Sequence, residues 1–87
     1  MKKYELNKGC LIRKDFGVSD FSYGRSAKHH SYILEDAIKV YARNKESAIR
    51  KISKILNKKY KVDNYLTYDG FYRDLISWDR DSVKECM

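Results

Sequence analysis

The chain has 87 residues and a formal net charge of +7 at pH 7, and 43% of its residues are apolar and 36% charged. This length predicts a single domain over residues 1–87, and the apolar content is too high for a chain that is disordered throughout. No apolar run approaches the roughly 20 residues that cross a bilayer, and the N-terminus lacks the apolar centre of a secretory signal. We therefore expect a cytoplasmic protein with no membrane partner.

The first predicted element is a hairpin over residues 2–14. Tyr4 and Leu6 alternate with polar residues before Asn7-Lys8-Gly9, and an apolar run resumes after Gly9. Gly9 can adopt the positive φ that such a turn requires.

Residues 15–31 are predicted to form a long loop, since glycine and serine are frequent there and no period is evident. Aromatic residues alternate with cations in this stretch, which suits stacking on bases and contact with phosphates. Tyr23, Arg25 and Lys28 are its candidate binding residues. The alternative is an ordinary loop whose phenylalanines pack into the core.

Residues 32–42 fit two structures. Ile38, Val40 and Ala42 alternate with Lys39 and Tyr41, which is the period of a half-buried strand. A helix beginning after Ser31 is the alternative, because short apolar runs are ambiguous by periodicity. The strand is preferred, since a capped helix follows.

A helix is predicted from Lys45 to about Tyr60. Its apolar residues recur at the spacing of one helical face: Ala48, Ile49, Ile52, Ile55 and Leu56. Asn44 occupies the N-cap position, and Glu46 places a carboxylate in the first turn. The opposite face carries a stripe of cations formed by Arg50, Lys51, Lys54 and Lys58.

Positive charge is concentrated on this helix. Residues 45–61 hold seven Lys or Arg against one Glu, whereas residues 62–87 hold three against six acidic residues. Such a patch attracts nucleic acid, anionic lipid or an acidic protein surface. The alternative is a solvated lysine-rich face without a partner.

A second hairpin is predicted after the helix. Residues 62–68 are rich in β-formers, Asp69-Gly70 is typical of a tight hairpin turn, and residues 71–78 pair back. A short helix over 71–78 is the alternative. The acidic residues 79–87 are predicted to be a frayed tail.

Together these elements predict an α+β fold with an antiparallel sheet of four or five strands and one amphipathic helix packed on a face.

The chain carries no catalytic motif, so we expect a protein that is not an enzyme and needs no cofactor or metal. His29 and His30 would suit a metal-independent ribonuclease, but adjacent side chains point in different directions in most conformations. Cys10 and Cys86 lack the paired spacing of a zinc site, and two free thiols are expected.

The unit IKVYARNKESAIRKISKIL, followed by an aromatic strand pair ending in Trp78, resembles small phage-encoded anti-CRISPR proteins that inhibit type I surveillance complexes. The resemblance covers residues 36–78 in pattern. It implies a protein that docks on a host Cas protein–guide RNA assembly and blocks engagement of target DNA. Many anti-CRISPR proteins are acidic DNA mimics, so a charge of +7 points instead to contact with RNA, DNA or an acidic protein surface.

The leading hypothesis is therefore a non-enzymatic inhibitor of a host nucleic-acid-handling complex. The alternative is a small basic module that binds DNA or RNA alone. Eight tyrosines, with Tyr41 on the polar side of its strand, suit a binding surface in either case. The partner-binding candidates are Tyr23, Arg25, Lys28, Tyr41, Arg50, Lys51, Lys54 and Lys58.

Overall fold

A computed structural model of the chain describes residues 1–19, 28–67 and 70–86. Over these ranges the fold comprises seven strands, one α-helix and a 3₁₀ turn at Arg80–Ser82. The elements are β1 (Lys2–Leu6), β2 (Leu11–Ser19), β3 (Lys28–Ile33), β4 (Ile38–Ala42), α1 (Lys45–Lys59), β5 (Asn64–Thr67), β6 (Gly70–Trp78) and β7 (Val83–Cys86).

The strands form two antiparallel sheets, not one. A three-stranded sheet has the order β4-β1-β7, and a four-stranded sheet has the order β3-β2-β6-β5. The α+β class is confirmed, while the prediction of one sheet with four or five strands is wrong.

The two sheets arise because β1 and β2 do not form the predicted hairpin. β1 pairs with β4 and β7, whereas β2 pairs with β3 and β6. Gly9 does adopt a positive φ of 91°, but its N–H donates to the carbonyl of Leu34 at 2.7 Å. The bend at Gly9 therefore leads the chain from one sheet to the other.

Helix α1 covers the inner face of the three-stranded sheet, as predicted for a helix packed on a face. Asn44 caps it, since its side-chain oxygen accepts a hydrogen bond from the Ser47 N–H at 2.9 Å. Ala48, Ile52 and Leu56 are fully buried. They join one apolar cluster with side chains from both sheets, including Leu6, Ile12, Val40, Trp78 and Val83.

The predicted loop over 15–31 is largely strand in the part that the structure describes. β2 continues to Ser19 and β3 begins at Lys28. Sequence periodicity fails here because the pairing of β2 with β6 shifts by one residue between Asp15 and Val18. Gly17, with φ 58°, lies in this bulge, where its positive φ causes no steric clash. Residues 20–27, the centre of the predicted loop, lie outside the described ranges.

The strand preference for 32–42 holds in part. Residues 32 and 33 end β3, residues 38–42 form β4, and no helix is present over this stretch. In β4, Ile38, Val40 and Ala42 are buried while Lys39 and Tyr41 are exposed, as the alternation predicts.

The second hairpin is confirmed in its strands. β5 pairs antiparallel with β6, with Thr67 opposite Gly70. Residues 71–78 are therefore strand and not helix. Tyr68 and Asp69 of the predicted turn are outside the described ranges.

The expectation of a frayed tail over 79–87 is wrong for residues 79–86. Asp79 accepts hydrogen bonds from the Asp81 N–H and the Ser82 hydroxyl, which closes the 3₁₀ turn. β7 then pairs with β1, and Val83 is only 1% exposed. A buried apolar residue and a strand partner order this end of the chain.

Among the described residues, no helix has the length and apolar composition needed to cross a membrane.

Candidate nucleic-acid interface

The helical stripe, formed by Arg50, Lys51, Lys54 and Lys58, lies on the side of α1 that faces solvent. All four side chains are exposed, and the buried residues of α1 lie on the opposite side of the helix. Two hydrogen bonds orient the stripe: Arg50 donates from Nη2 to the Ser47 hydroxyl at 3.2 Å, and Lys51 donates from Nζ to the Tyr41 carbonyl.

The stripe has no anionic partner among the described side chains. The three ion pairs there are Lys2–Glu85, Arg13–Asp15 and Lys14–Asp74, and none includes a stripe cation. From Arg50 to Lys58 the stripe extends about 12 Å along the helix axis, at about 1.5 Å per residue. These four charges are therefore available to an external anion.

Tyr41 lies on a second basic surface, which the helix does not cover. The open sheet face is the solvent side of the three-stranded sheet, and it presents Lys3, Glu5, Lys39, Tyr41, Lys84 and Cys86. The registers place Lys3 beside Tyr41, and Glu5 between Lys39 and Lys84. Tyr41 is 60% exposed.

The charged groups of the open sheet face lie close enough together to act on the Cys86 thiol. The Cys86 thiol donates to Oε2 of Glu5 at 3.3 Å. Its pKa is raised by burial and by Glu5, against an opposing effect of the Lys3 and Lys39 ammonium groups. The open sheet face thus carries three lysines and one carboxylate, a net positive surface.

The helical stripe and the open sheet face meet at β4. The Lys51 ammonium bonds to the Tyr41 carbonyl, and β4 is an edge strand of its sheet. Of the predicted binding residues, the structure therefore brings Tyr41 together with the helical stripe.

Lys28 lies elsewhere. It is exposed at the start of β3, an edge strand of the four-stranded sheet, with its ammonium 5.4 Å from the centre of the Phe16 ring. Tyr23 and Arg25 fall outside the described ranges, so their position relative to the stripe stays a prediction.

Sequence reasoning missed Lys3 and Lys84 as members of the basic surface. They lie near opposite ends of the chain, and only the pairing of β1 with β7 places them on the same face of the sheet. Lys39 and Tyr41 were recognisable from the two-residue period of β4, but no local signal identifies their cross-strand neighbours.

His29 and His30 occupy neighbouring positions of β3, and side chains of successive strand residues point to opposite faces. His29 lies opposite Asp15 in the register and His30 lies opposite Lys14. The His30 ring packs on Tyr32, with centroids 4.6 Å apart. This geometry does not direct the two imidazoles at one scissile bond.

The sequence patterns also did not predict the buried ion pair between Lys14 and Asp74. Lys14 and Asp74 approach to 3.8 Å, and both side chains are less than a tenth exposed. Lys14 donates to the carbonyls of Tyr60 and Lys61 at 2.6 and 3.2 Å, just beyond the end of α1. The pair therefore connects the four-stranded sheet to the C-terminal end of α1, and both side chains are shielded from solvent.

The surface grooves are shallow and open. One, of about 490 Å³, is lined by Tyr32, Glu35, Lys59 and Tyr60, with the two tyrosine rings 4.6 Å apart. Burial, Glu35, Tyr32 and Cys10 together raise the pKa of Tyr60. Within the described ranges, no three potential metal ligands cluster, and Cys10 and Cys86 are free thiols.

Comparisons with protein-family models, with curated proteins and with solved structures give no significant match.

Proposed function

We propose that the chain is a non-enzymatic nucleic-acid-binding protein whose helical stripe contacts backbone phosphates. The observation that carries this proposal is the position of four exposed cations on one side of α1, none of them in an ion pair with a described carboxylate. Phosphates supply the missing counter-charge, and release of their condensed counterions drives binding.

The dimensions of the stripe support a polymeric anion. Successive phosphates of one B-form strand are about 3.4 Å apart along the axis, so a stripe of about 12 Å spans roughly three of them. A small monoanion would engage one cation and leave the others without a partner.

The activity proposed for the chain is binding of nucleic acid and not its cleavage. A metal-independent ribonuclease would need two groups converging on the 2′-hydroxyl and the phosphate. His29 and His30 are the residues that the sequence offers for this, and successive positions of β3 direct them to opposite faces.

Charge reversal in the helical stripe is the direct test. Lys54→Glu should weaken binding to a fluorescein-labelled 20-nucleotide strand about tenfold or more at low salt, because it replaces an attraction with a repulsion. Fluorescence anisotropy measures the affinity, and circular dichroism checks the fold.

Lys8→Glu is the matched control. Lys8 is exposed in the turn after β1, and its substitution changes the net charge equally. An equal loss in both variants would mean that only net charge matters, and it would contradict a role for the stripe.

A second candidate function is inhibition of a nucleic-acid-handling complex through one of its proteins, as the resemblance to anti-CRISPR proteins implies. The observation that favours it is a group of exposed apolar side chains on the four-stranded sheet. Leu66 is 80% exposed and lies opposite Phe71, and Leu75 is exposed further along β6. Exposed apolar groups of this kind suit a protein partner better than phosphates.

The two candidates differ in what the tagged chain captures from host lysate. A defined protein complex that survives nuclease treatment and is lost in Leu66→Asp supports the second candidate. Nucleic acid that disappears with nuclease, with no protein complex retained, supports the first.

A further inference from the structure

The open sheet face presents an aromatic ring at the centre of a group of cations. Tyr41 is 60% exposed, whereas the alternate residues Val40 and Ala42 are buried against the core. Burial of its neighbours fixes the strand, so the ring is held on a rigid support and not on a loop. A tyrosine side chain has only two χ angles, so it loses little conformational entropy when a ligand covers it.

Two lysines lie beside this ring on the same face of the sheet. Lys39 is exposed two residues before Tyr41 on the same face of β4, about 6.6 Å away along the strand. Lys3 lies directly opposite Tyr41 on β1. Lysine side chains are long enough to reach the phosphates that flank a base covering the ring.

Glu5, the carboxylate on this face, forms a hydrogen bond within the sheet. Glu5 accepts a hydrogen bond from the Cys86 thiol and lies between Lys39 and Lys84 in the register. The face therefore stays net positive, which is the charge complement of a phosphate backbone.

We propose that the open sheet face is a single-strand nucleic-acid site, in which Tyr41 stacks on an unpaired base while Lys3 and Lys39 contact the flanking phosphates. An exposed aromatic ring among cations is what sequence-tolerant binding of single strands uses, because every unpaired base offers a π-face. Bases of a duplex are stacked on each other and offer the ring no such face. This inference rests on the proposed function and specifies its ligand as a single strand.

The site adjoins the helical stripe through β4, where Lys51 bonds to the Tyr41 carbonyl. A strand leaving the open sheet face can thus pass the edge of β4 and reach the cations of α1. The stripe supplies phosphate contacts common to single and double strands, and Tyr41 supplies the preference for single strands.

The test compares Tyr41→Ile with wild type. Isoleucine retains β-propensity but removes the ring. Affinity for a fluorescein-labelled 20-nucleotide single strand should fall about fivefold or more, the range that loss of one base–aromatic stack produces. Affinity for the matching duplex should stay unchanged. Tyr41→Phe, which keeps the ring, should bind the single strand like wild type.

The control is Leu11→Ala, which removes an exposed apolar side chain from β2 of the other sheet. It should leave both affinities unchanged. Equal single-strand affinity of Tyr41→Ile and wild type, or an equal loss on both ligands, would overturn the inference. If Lys54→Glu still weakens binding in that case, the proposed function stands and only the role of Tyr41 is lost.

Discussion

The buried pair of Lys14 and Asp74 links the four-stranded sheet to the segment that follows α1. Asp74 accepts hydrogen bonds from the backbone N–H groups of Gly17 and Asp63, at 3.0 and 3.1 Å. Lys14 supplies the opposite charge and bonds to carbonyls beyond the end of α1. A buried charge that keeps its partners is tolerated, whereas one that loses them is costly.

Asp74→Ala should therefore lower the free energy of unfolding by about 3–5 kcal/mol, because it leaves the Lys14 ammonium buried without a counter-charge. Asp74→Asn should cost less, since its amide oxygen still accepts one of the backbone hydrogen bonds. Urea unfolding followed by the fluorescence of Trp78, the single tryptophan, measures both.

Asp36→Ala is the control for this pair. Asp36 is exposed, and substitutions at such positions change stability by about 0.5 kcal/mol or less. If Asp74→Ala were as stable as Asp36→Ala, the buried pair would have no structural role.

Local patterns predicted part of this arrangement. Lys14 follows Ile12 on the same side of β2, so a two-residue period places it on the buried face. The period cannot reveal its partner, because Asp74 is 60 positions away and the bulge at Gly17 shifts the register between them.

Helix α1 is the element that the sequence predicted best. Its cap, its bounds and its buried face all follow from short-range signals, namely one polar cap residue and an apolar spacing of three to four. The position of the helical stripe follows too, since it lies opposite the apolar face.

Asn44→Ala should destabilise the protein by about 1 kcal/mol, because the Ser47 N–H loses its acceptor at the helix start. Thermal unfolding measured by circular dichroism would detect this as a lower midpoint. Asn57→Ala, in the exposed body of the same helix, should be neutral or slightly stabilising, since alanine favours helix. Similar losses in both variants would mean that the cap does not stabilise α1.

The β1–β2 connection is an element that short-range signals predicted wrongly. A glycine with positive φ between two apolar runs is typical of a hairpin, but it equally allows a bend between two sheets. Strand partners decide between the two, and those of β1 lie at residues 38–42 and 83–86.

At the scale of the whole molecule, the division into two sheets determines the proposed binding surface. β1 is the central strand that brings Lys3 beside Tyr41 and places Lys84 on the same face. These pairings join segments that lie far apart in the sequence, so no pattern within a short window predicts them. The charge asymmetry of the sequence predicted that an anionic partner binds α1, and the sheet pairing adds a second basic surface next to it.

The salt dependence of binding tests the central proposal, that stripe cations contact phosphates, most directly. Affinity for the 20-nucleotide single strand would be measured over a series of salt concentrations, for wild type and for the Arg50→Ala, Lys54→Ala double variant. Each lost phosphate contact lowers the slope of log K against log salt by about 0.7 for a single strand, so the double variant should have a slope smaller by about 1.4. Identical slopes for the two proteins would contradict phosphate contact by the helical stripe.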